Sequence, residues 1–529
     1  MTDTTKTIVT TAIPYVNAAP HLGFTLEAVV TDAIARHHRL QGYEVHHQSG
    51  TDDNSLKNAQ AAEKSGVPTQ QLVDDNAARF RELPDLLDLS WDAFVRTSKN
   101  PIHAETVNEV WKRCLAQGDI YKGTYEGLYC VGCERYYDEA ELLEGRCPEH
   151  GTEPERIREE NYFFRLCNYE GQLHQLVSSG TIRVVPEERR NEVLRLIAGG
   201  LRDFSVSRST ERARGWGLPV PDDPKQVIYV WFDALVNYIS GLGTDRFERW
   251  RDADRIEHVI GKGILKFHAV YWPAILLSAG LNVPSDVLVH GYLTVEGQKI
   301  GKSLGNAIDP RAIVEEFGVD PVRYYLLRHV STTRDGDFSR ERLVSAHDSE
   351  LADQLGNLVH RTASLIHRHR GGRVPTVASP GPLEADLADL AEKTSAEVAE
   401  AVERFALHEA LASVWRLVAA GNRYVDQTEP WKLGKAGGAG ERLDVVLGTL
   451  ATLVRNVGLL LRPFLPVTAA EVVRRFGGTR VETGPTLFPK SGREDQHVVD
   501  VVVERLAGPV EVAQFDVVPD VLDERDRDG

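Results

Sequence analysis

The sequence predicts an α/β chain in which a doubly wound parallel sheet is broken by a small insertion and followed by an all-α helical bundle. Three observations carry that expectation. Strand-like and helical patterns alternate from the N-terminus and resume near residue 227. Between about 119 and 185 they give way to short segments punctuated by Gly and aromatic residues around closely spaced cysteines. From about 349 to 475 the pattern becomes long and helical, with few β-branched runs.

Residues 7–12 form a β-branched run, 14–20 a Pro-marked turn, and helical periodicity runs from His21 to about Leu40. A second strand at 45–49 ends in Gly50-Thr51-Asp52-Asp53. Strand, turn, helix, strand opens a Rossmann-type sheet, whose ligands bind beyond the carboxyl ends of the strands, where both His21 and Asp52 fall. Apolar runs at 227–230, 258–260 and 287–290 predict the remaining strands of the same sheet. Gly371-Gly372 and Gly437-Gly438 mark loops of the bundle, and 520–529 is a charge-rich tail. The expected units are 1–118 (first half of the catalytic sheet), 119–185 (insertion), 186–348 (second half), 349–475 (bundle) and 476–529 (extension).

A chain of 529 residues exceeds one compact core. With 61 basic and 78 acidic side chains the formal charge is −17, so a nucleic-acid partner requires a local basic face. No run approaches ~20 consecutive apolar residues, so no membrane span is expected. The first residues lack the apolar stretch of a secretory signal, and a cytoplasmic location is expected. Five cysteines, three in metal-type spacing, fit a reducing compartment.

Three strings carry chemistry. In His21-Leu22-Gly23-Phe24 a helix that begins just after a strand offers unpaired N–H groups to a phosphate, and Gly admits a nucleotide close to the backbone. His21 can also act simply as the helix cap. Lys299 and Lys302, three apart on a Gly-flanked loop, can meet a triphosphate together, or form a solvated turn. Cys130-x2-Cys133 with Cys147-x2-His150 has the spacing of a closed, structural zinc site, which makes the insertion zinc-binding. Cys114 and Cys167 lack such partners and are expected to be buried thiols.

Lys299-Ile300-Gly301-Lys302-Ser303-Leu304-Gly305-Asn306 resembles the K-M-S-K-S signature of class I aminoacyl-tRNA synthetases, followed by L-G-N. The strings at 10–17 (T-T-A-I-P-Y-V-N), 50–53 (G-T-D-D), 159–166 (E-E-N-Y-F-F-R-L), 230–238 (V-W-F-D-A-L-V-N-Y), 261–274 (G-K-G-I-L-K-F-H-A-V-Y-W-P-A) and 290–299 (H-G-Y-L-T-V-E-G-Q-K) resemble methionyl-tRNA synthetase segments in the family's order, over about 1–475. The resemblance implies ATP-dependent activation of methionine to methionyl adenylate and transfer to tRNA(Met). It implies an amino-acid pocket of Ile13, Tyr15, Trp231, Ala234, Tyr238, Ile264 and His268, with Asp52 accepting from the substrate ammonium. It implies ATP contacts at His21, Gly23, Phe24, Lys299, Lys302 and Ser303, with His21, Lys299 and Lys302 catalytic. Mg²⁺ with ATP and structural Zn²⁺ are the implied cofactors. The helical region resembles the family's anticodon-binding bundle through the strings 422–426, 429–433 and 462–466.

The chain departs from the family pattern at Phe24, Asn54, Gly263 and Ile300-Gly301, and no Trp follows Trp431. Two other readings therefore stand beside the ligase: a paralogue that activates an amino acid for a non-tRNA acceptor in specialised metabolism, and a non-catalytic tRNA-binding relative.

Overall fold

The computed structural model describes residues 4–130, 135–137, 139–148, 151–295, 297–300, 308–435 and 440–490. Six parallel strands form the central sheet in the order Ala93–Arg96, Glu44–Thr51, Lys6–Thr11, Arg255–Gly261, Asp286–His290, Arg183–Val185. Successive strands run outward from Lys6–Thr11 on one side, and the later ones fill in on the other. The crevice between Lys6–Thr11 and Arg255–Gly261 is therefore the switch point where such sheets bind ligands.

Helices cover both faces, so the central strands are largely buried even where their residues are polar; every residue of Asp286–His290 is buried. Helix Leu22–Leu40 lies against strands Lys6–Thr11 and Glu44–Thr51. Its core, including Leu26, Val29 and Val30, continues through Tyr324 and Leu327 to Leu411 and Leu450 of the bundle. A second core on the other face joins Trp111, Phe232, Tyr238 and Trp272.

The run at 227–230 does not belong to this sheet. Asp223–Ile228 pairs antiparallel with Ser207–Ser209 and Pro219–Val220 in a separate three-stranded sheet, and Val230 opens helix Val230–Leu235. A short apolar run has the same pattern in a parallel core strand and in a strand covered on one face by an insertion.

The insertion is built on an antiparallel sheet ordered Arg135–Tyr137, Ile120–Cys130, Glu155–Phe164, Phe204–Ser205. Its long hairpin keeps register from Ile120 opposite Phe164 to Tyr129 opposite Glu155. At its tip Cys130, Cys147 and Tyr137 make a small separate core. Cys114 is buried as expected, but Cys167 is exposed, carried outward on the tight turn Leu166–Tyr169.

The C-terminal region packs helices Asn357–Arg370, Pro382–Glu403, Leu407–Thr428, Gly440–Leu461 and Pro466–Phe476. Gly440–Leu461 is long and apolar enough to meet the length and hydropathy of a membrane span, yet 67% of its most apolar window is buried inside the protein, as befits a central bundle helix. Gly421 permits the tight crossing there, since a Cβ would stand 2.5 Å from Leu453. Bundle and sheet are tied by Arg323, which donates to Asp32 on helix Leu22–Leu40 and to the carbonyls of Leu87, Pro463 and Phe464.

Candidate active site

His21 is the N-cap of helix Leu22–Leu40, its Nδ1 accepting from the Gly23 N–H at 3.1 Å. Because Nδ1 accepts, the ring proton sits on Nε2, so the cap leaves the Nε2–H uncommitted to Gly23. The ring folds so closely over Gly23 that a Cβ there would lie 2.9 Å from it. Phe24 turns away and meets Phe80 edge-on at 5.2 Å. The position therefore packs helix Thr69–Arg81 against the start of Leu22–Leu40.

The predicted pocket residues converge at the same end of the sheet. Asp52, 2% exposed, lies just past strand Glu44–Thr51 and bridges to Tyr15. Tyr15 meets Trp231 edge-on at 6.4 Å, and Ile13 approaches Gly50. Trp231 and Ala234 come from helix Val230–Leu235, and Tyr238 from the next turn. Ile264 ends the short turn Lys262–Ile264, and His268 lies within the π-helical turn Phe267–Tyr271, an irregularity that often marks functional positions.

One sequence of hydrogen bonds sets the polar character of this pocket. The Ile264 carbonyl can only accept, so His268 donates to it from Nδ1 at 3.0 Å and accepts through Nε2 from the Tyr238 hydroxyl at 2.7 Å. Burial pushes the His268 pKa down to about 4, which keeps the ring neutral. Behind Tyr238 lies His258, 4.2 Å away. It accepts from the Trp272 indole N–H at 3.2 Å and donates to Thr10 Oγ1 at 2.8 Å. Burial, then neighbouring His268, holds His258 well below the usual imidazole range.

Three site features lie beyond what the sequence reading named. Phe267 stacks on Trp231 at 3.7 Å and 7°, forming one wall of the pocket. Its place beside His268 in the string at 261–274 was the available signal. Glu27 accepts from the Ala12 N–H at 2.8 Å and pairs with His290 Nε2 at 2.8 Å, joining both sides of the switch point. His290 Nδ1 faces the Gly291 carbonyl at 2.7 Å, so both its nitrogens meet acceptors; although burial opposes the charge, Glu27 raises its pKa. Asp233, buried, takes His103 Nε2 at 2.7 Å and Asn54 Nδ2 at 2.7 Å, anchoring the loop after Asp52. Nothing in local spacing announces either carboxylate.

Lys299 lies in strand Gln298–Lys299, paired with Leu293–Val295. Lys302 and Ser303 lie outside the described residues, as do Cys133 and His150. Arg423 is exposed, and Trp431 is half-buried with the Arg361 guanidinium 5.7 Å from its ring.

A capped helix start, a buried carboxylate and an aromatic pocket around the switch point of a parallel sheet define a nucleotide-binding protein of the Rossmann type that also holds a small amphiphile. Residues 7–159 and 141–363 match the model for class I tRNA synthetases of the methionine type, and 374–489 match the anticodon-binding domain of methionyl tRNA ligase. The chain belongs to the methionyl-tRNA synthetase family of class I. Methionine–tRNA ligase of Thermotoga maritima is 43% identical over 478 residues, covering 89% of this chain and 75% of its own. That of Mycobacterium tuberculosis is 40% identical over 506 residues, covering 92% and 96%. The structure of Mycobacterium tuberculosis methionyl-tRNA synthetase in complex with methionyl-adenylate superposes with a TM-score of 0.88 at 38% identity, covering 92% of this chain and 100% of that one.

Proposed function

We propose that this chain is a methionine–tRNA ligase, which condenses methionine with ATP to methionyl adenylate and passes the methionyl group to tRNA(Met). The observation that carries this reading is the pocket itself. Trp231 stacked on Phe267 offers flat, polarizable walls suited to a thioether, and buried Asp52, at the same end of the sheet, is the carboxylate we assign to the ammonium group.

In the first step the methionine carboxylate attacks the α-phosphorus in line and pyrophosphate leaves. His21 Nε2–H, Lys299 and Lys302 are the groups we assign to the growing phosphate charge. Mg²⁺ accompanying ATP would supply further neutralisation of that charge. Ile13, Tyr15, Ala234, Tyr238, Ile264 and His268 shape the side-chain pocket in this reading.

Structural Zn²⁺ also belongs to the proposal. Cys130 and Cys147 are each 1% exposed and share one small core, the environment in which soft thiolates hold such an ion. With Cys133 and His150 they would complete a closed tetrahedral set that cross-links the insertion and performs no chemistry. A cytoplasmic location, where such thiols stay reduced, is part of the same reading.

Amino-acid-dependent ATP–pyrophosphate exchange with all twenty amino acids, repeated with tRNA, tests the function. Methionine is expected to give the fastest exchange. Preference for a polar or β-branched amino acid would overturn the pocket assignment, and exchange without charging of any tRNA would favour the paralogue with a different acceptor.

A further inference from the structure

Lys299 stands outside the central sheet, in a small antiparallel hairpin of Leu293–Val295 with Gln298–Lys299. Thr294 lies opposite Lys299, and Val295 opposite Gln298. A two-stranded hairpin is marginal by itself, so what it leans on decides where the lysine is presented. Its support is strand Gly336–Phe338, which pairs parallel with Leu293–Val295 and sets Asp337 beside Thr294.

Two aspartates of this support hold the hairpin and its approach at successive points. Asp337 Oδ1 accepts from the Thr294 hydroxyl at 2.7 Å and from the Gly297 N–H at 2.8 Å. The first donor belongs to the residue opposite Lys299, and the second lies in the turn, where Gly297 takes a φ of 73°. Asp335 accepts from the Tyr292 N–H at 2.8 Å and pairs with Lys262 Nζ at 2.7 Å. Lys262 directly follows Gly261, the last residue of the strand on one side of the switch point. The two segments also press backbone to backbone, since a Cβ on Gly291 would stand 2.1 Å from the Arg334 carbonyl carbon. From the other side Tyr325, on helix Val319–Arg328, donates its hydroxyl to the Asp337 carbonyl at 3.2 Å. That helix also carries Arg323, so the support is fixed to the same frame as the sheet and the bundle.

A carboxylate that takes both a turn amide and a hydroxyl of the adjoining strand sets the angle of the turn against that strand, and such charge-assisted bonds are the strong ones. We propose that Asp337 is a positioning residue for Lys299, holding the hairpin at the angle from which Lys299 meets the phosphate charge. The proposal rests on the ligase reading above, in which Lys299 acts as pyrophosphate leaves. Asp337 acts through the hairpin backbone and touches no substrate. A displacement of about 1 Å at a catalytic group, caused by a change away from the chemistry, costs on the order of 10²-fold in rate.

The test is methionine-dependent ATP–pyrophosphate exchange by the full chain, with kcat and the KM for methionine read separately. Asp337→Ala is expected to lower kcat roughly 10–100-fold and to leave the KM for methionine nearly unchanged, because the pocket walls come from other elements. Asp337→Asn keeps the accepting oxygen and is expected to recover most of the rate. Thr294→Val removes one donor, keeps the side-chain shape and is expected to fall part of the way, which keeps the test open if Asp337→Ala fails to fold. In a Lys299→Ala background, Asp337→Ala is expected to cost hardly anything further. Losses that multiply independently, a rise in KM that matches the fall in kcat, or full activity of Asp337→Ala would overturn the positioning role alone. Full activity of Lys299→Ala would instead remove Lys299 from the chemistry, overturning that part of the ligase reading and the proposal with it.

Discussion

Arg323 and Asp32 form an ion pair at 2.8 Å with both side chains fully shielded from solvent. Arg36 and Ser90 complete the carboxylate's partners, and Asp32 is held far below the ordinary carboxylate range by the two guanidiniums despite its burial. Because Arg323 also reaches backbone carbonyls at 463 and 464, this pair fixes how the helical bundle sits on the catalytic sheet.

Breaking that pair leaves an uncompensated charge in the interior. Arg323→Met is expected to destabilise the protein by about 3–5 kcal/mol. Arg323→Met with Asp32→Asn should recover part of the loss. Urea unfolding of both variants checks this; equal destabilisation would show that the backbone contacts of Arg323 carry the effect.

In the pocket, Asp52→Ala is expected to nearly abolish methionine-dependent exchange, while Trp231→Ala mainly raises the KM for methionine by removing the stack on Phe267. The Tyr238 proton is committed to His268, so this hydroxyl offers a ligand a lone pair and no donor. Methionine sulfoxide, whose oxygen needs a donor, should be activated at least a hundredfold more slowly than methionine. Comparable exchange rates for the two would reassign the Tyr238 proton to the ligand.

Stability should fall on both sides of neutrality, for different imidazoles. His37, His47 and His268 have folded pKa values of about 4 against 6.5 unfolded, so the unfolded chain binds more protons and stability declines as pH drops from 6.5 towards 4. His290 is raised by Glu27, so its contribution is fully present below 6.5 and is lost as pH climbs through its folded value. Glu27→Gln is expected to remove that alkaline decline and leave the acid one. Denaturation midpoints across pH 4–9 report both limbs.

Zinc analysis of freshly purified protein is expected to find about one ion per chain. Cys147→Ala should lower the metal content and slow transfer to tRNA more than it slows exchange, since a metal proposed there would hold a fold. A zinc-free protein of full activity would remove the metal from the account.

Charging of tRNA(Met) should weaken steeply as salt rises, because a chain of charge −17 must bind RNA through local cations. Arg423→Ala, at an exposed position on helix Leu407–Thr428, is expected to raise the KM for tRNA and leave that for methionine alone. A change confined to methionine would place Arg423 outside the RNA surface.

Much of the sheet was legible because its signals are local. The β-branched run and the cap-and-Gly string foretold strand Lys6–Thr11 and helix Leu22–Leu40 nearly to the residue. The quoted strings also named residues that the fold brings together at one end of the sheet. What stayed hidden depends on distant partners. Glu27 reads as one more helix carboxylate until His290, 263 residues away, is seen beside it. Asp233 reads as an N-terminal helix acid until His103 closes over it. The run at 227–230 looked like a sheet strand because periodicity records burial and not the partner that causes it.

The strand order has a consequence for synthesis. Thr10, at the heart of the switch point, meets His258 across 248 residues of chain. At translation rates of about 5–20 residues per second the first strand waits on the order of 10–50 s before its neighbour leaves the ribosome. During that interval a strand edge that the finished enzyme covers is open to the wrong partner. The nascent first hundred residues are thus a stretch in which a pause in translation would change the yield of active enzyme.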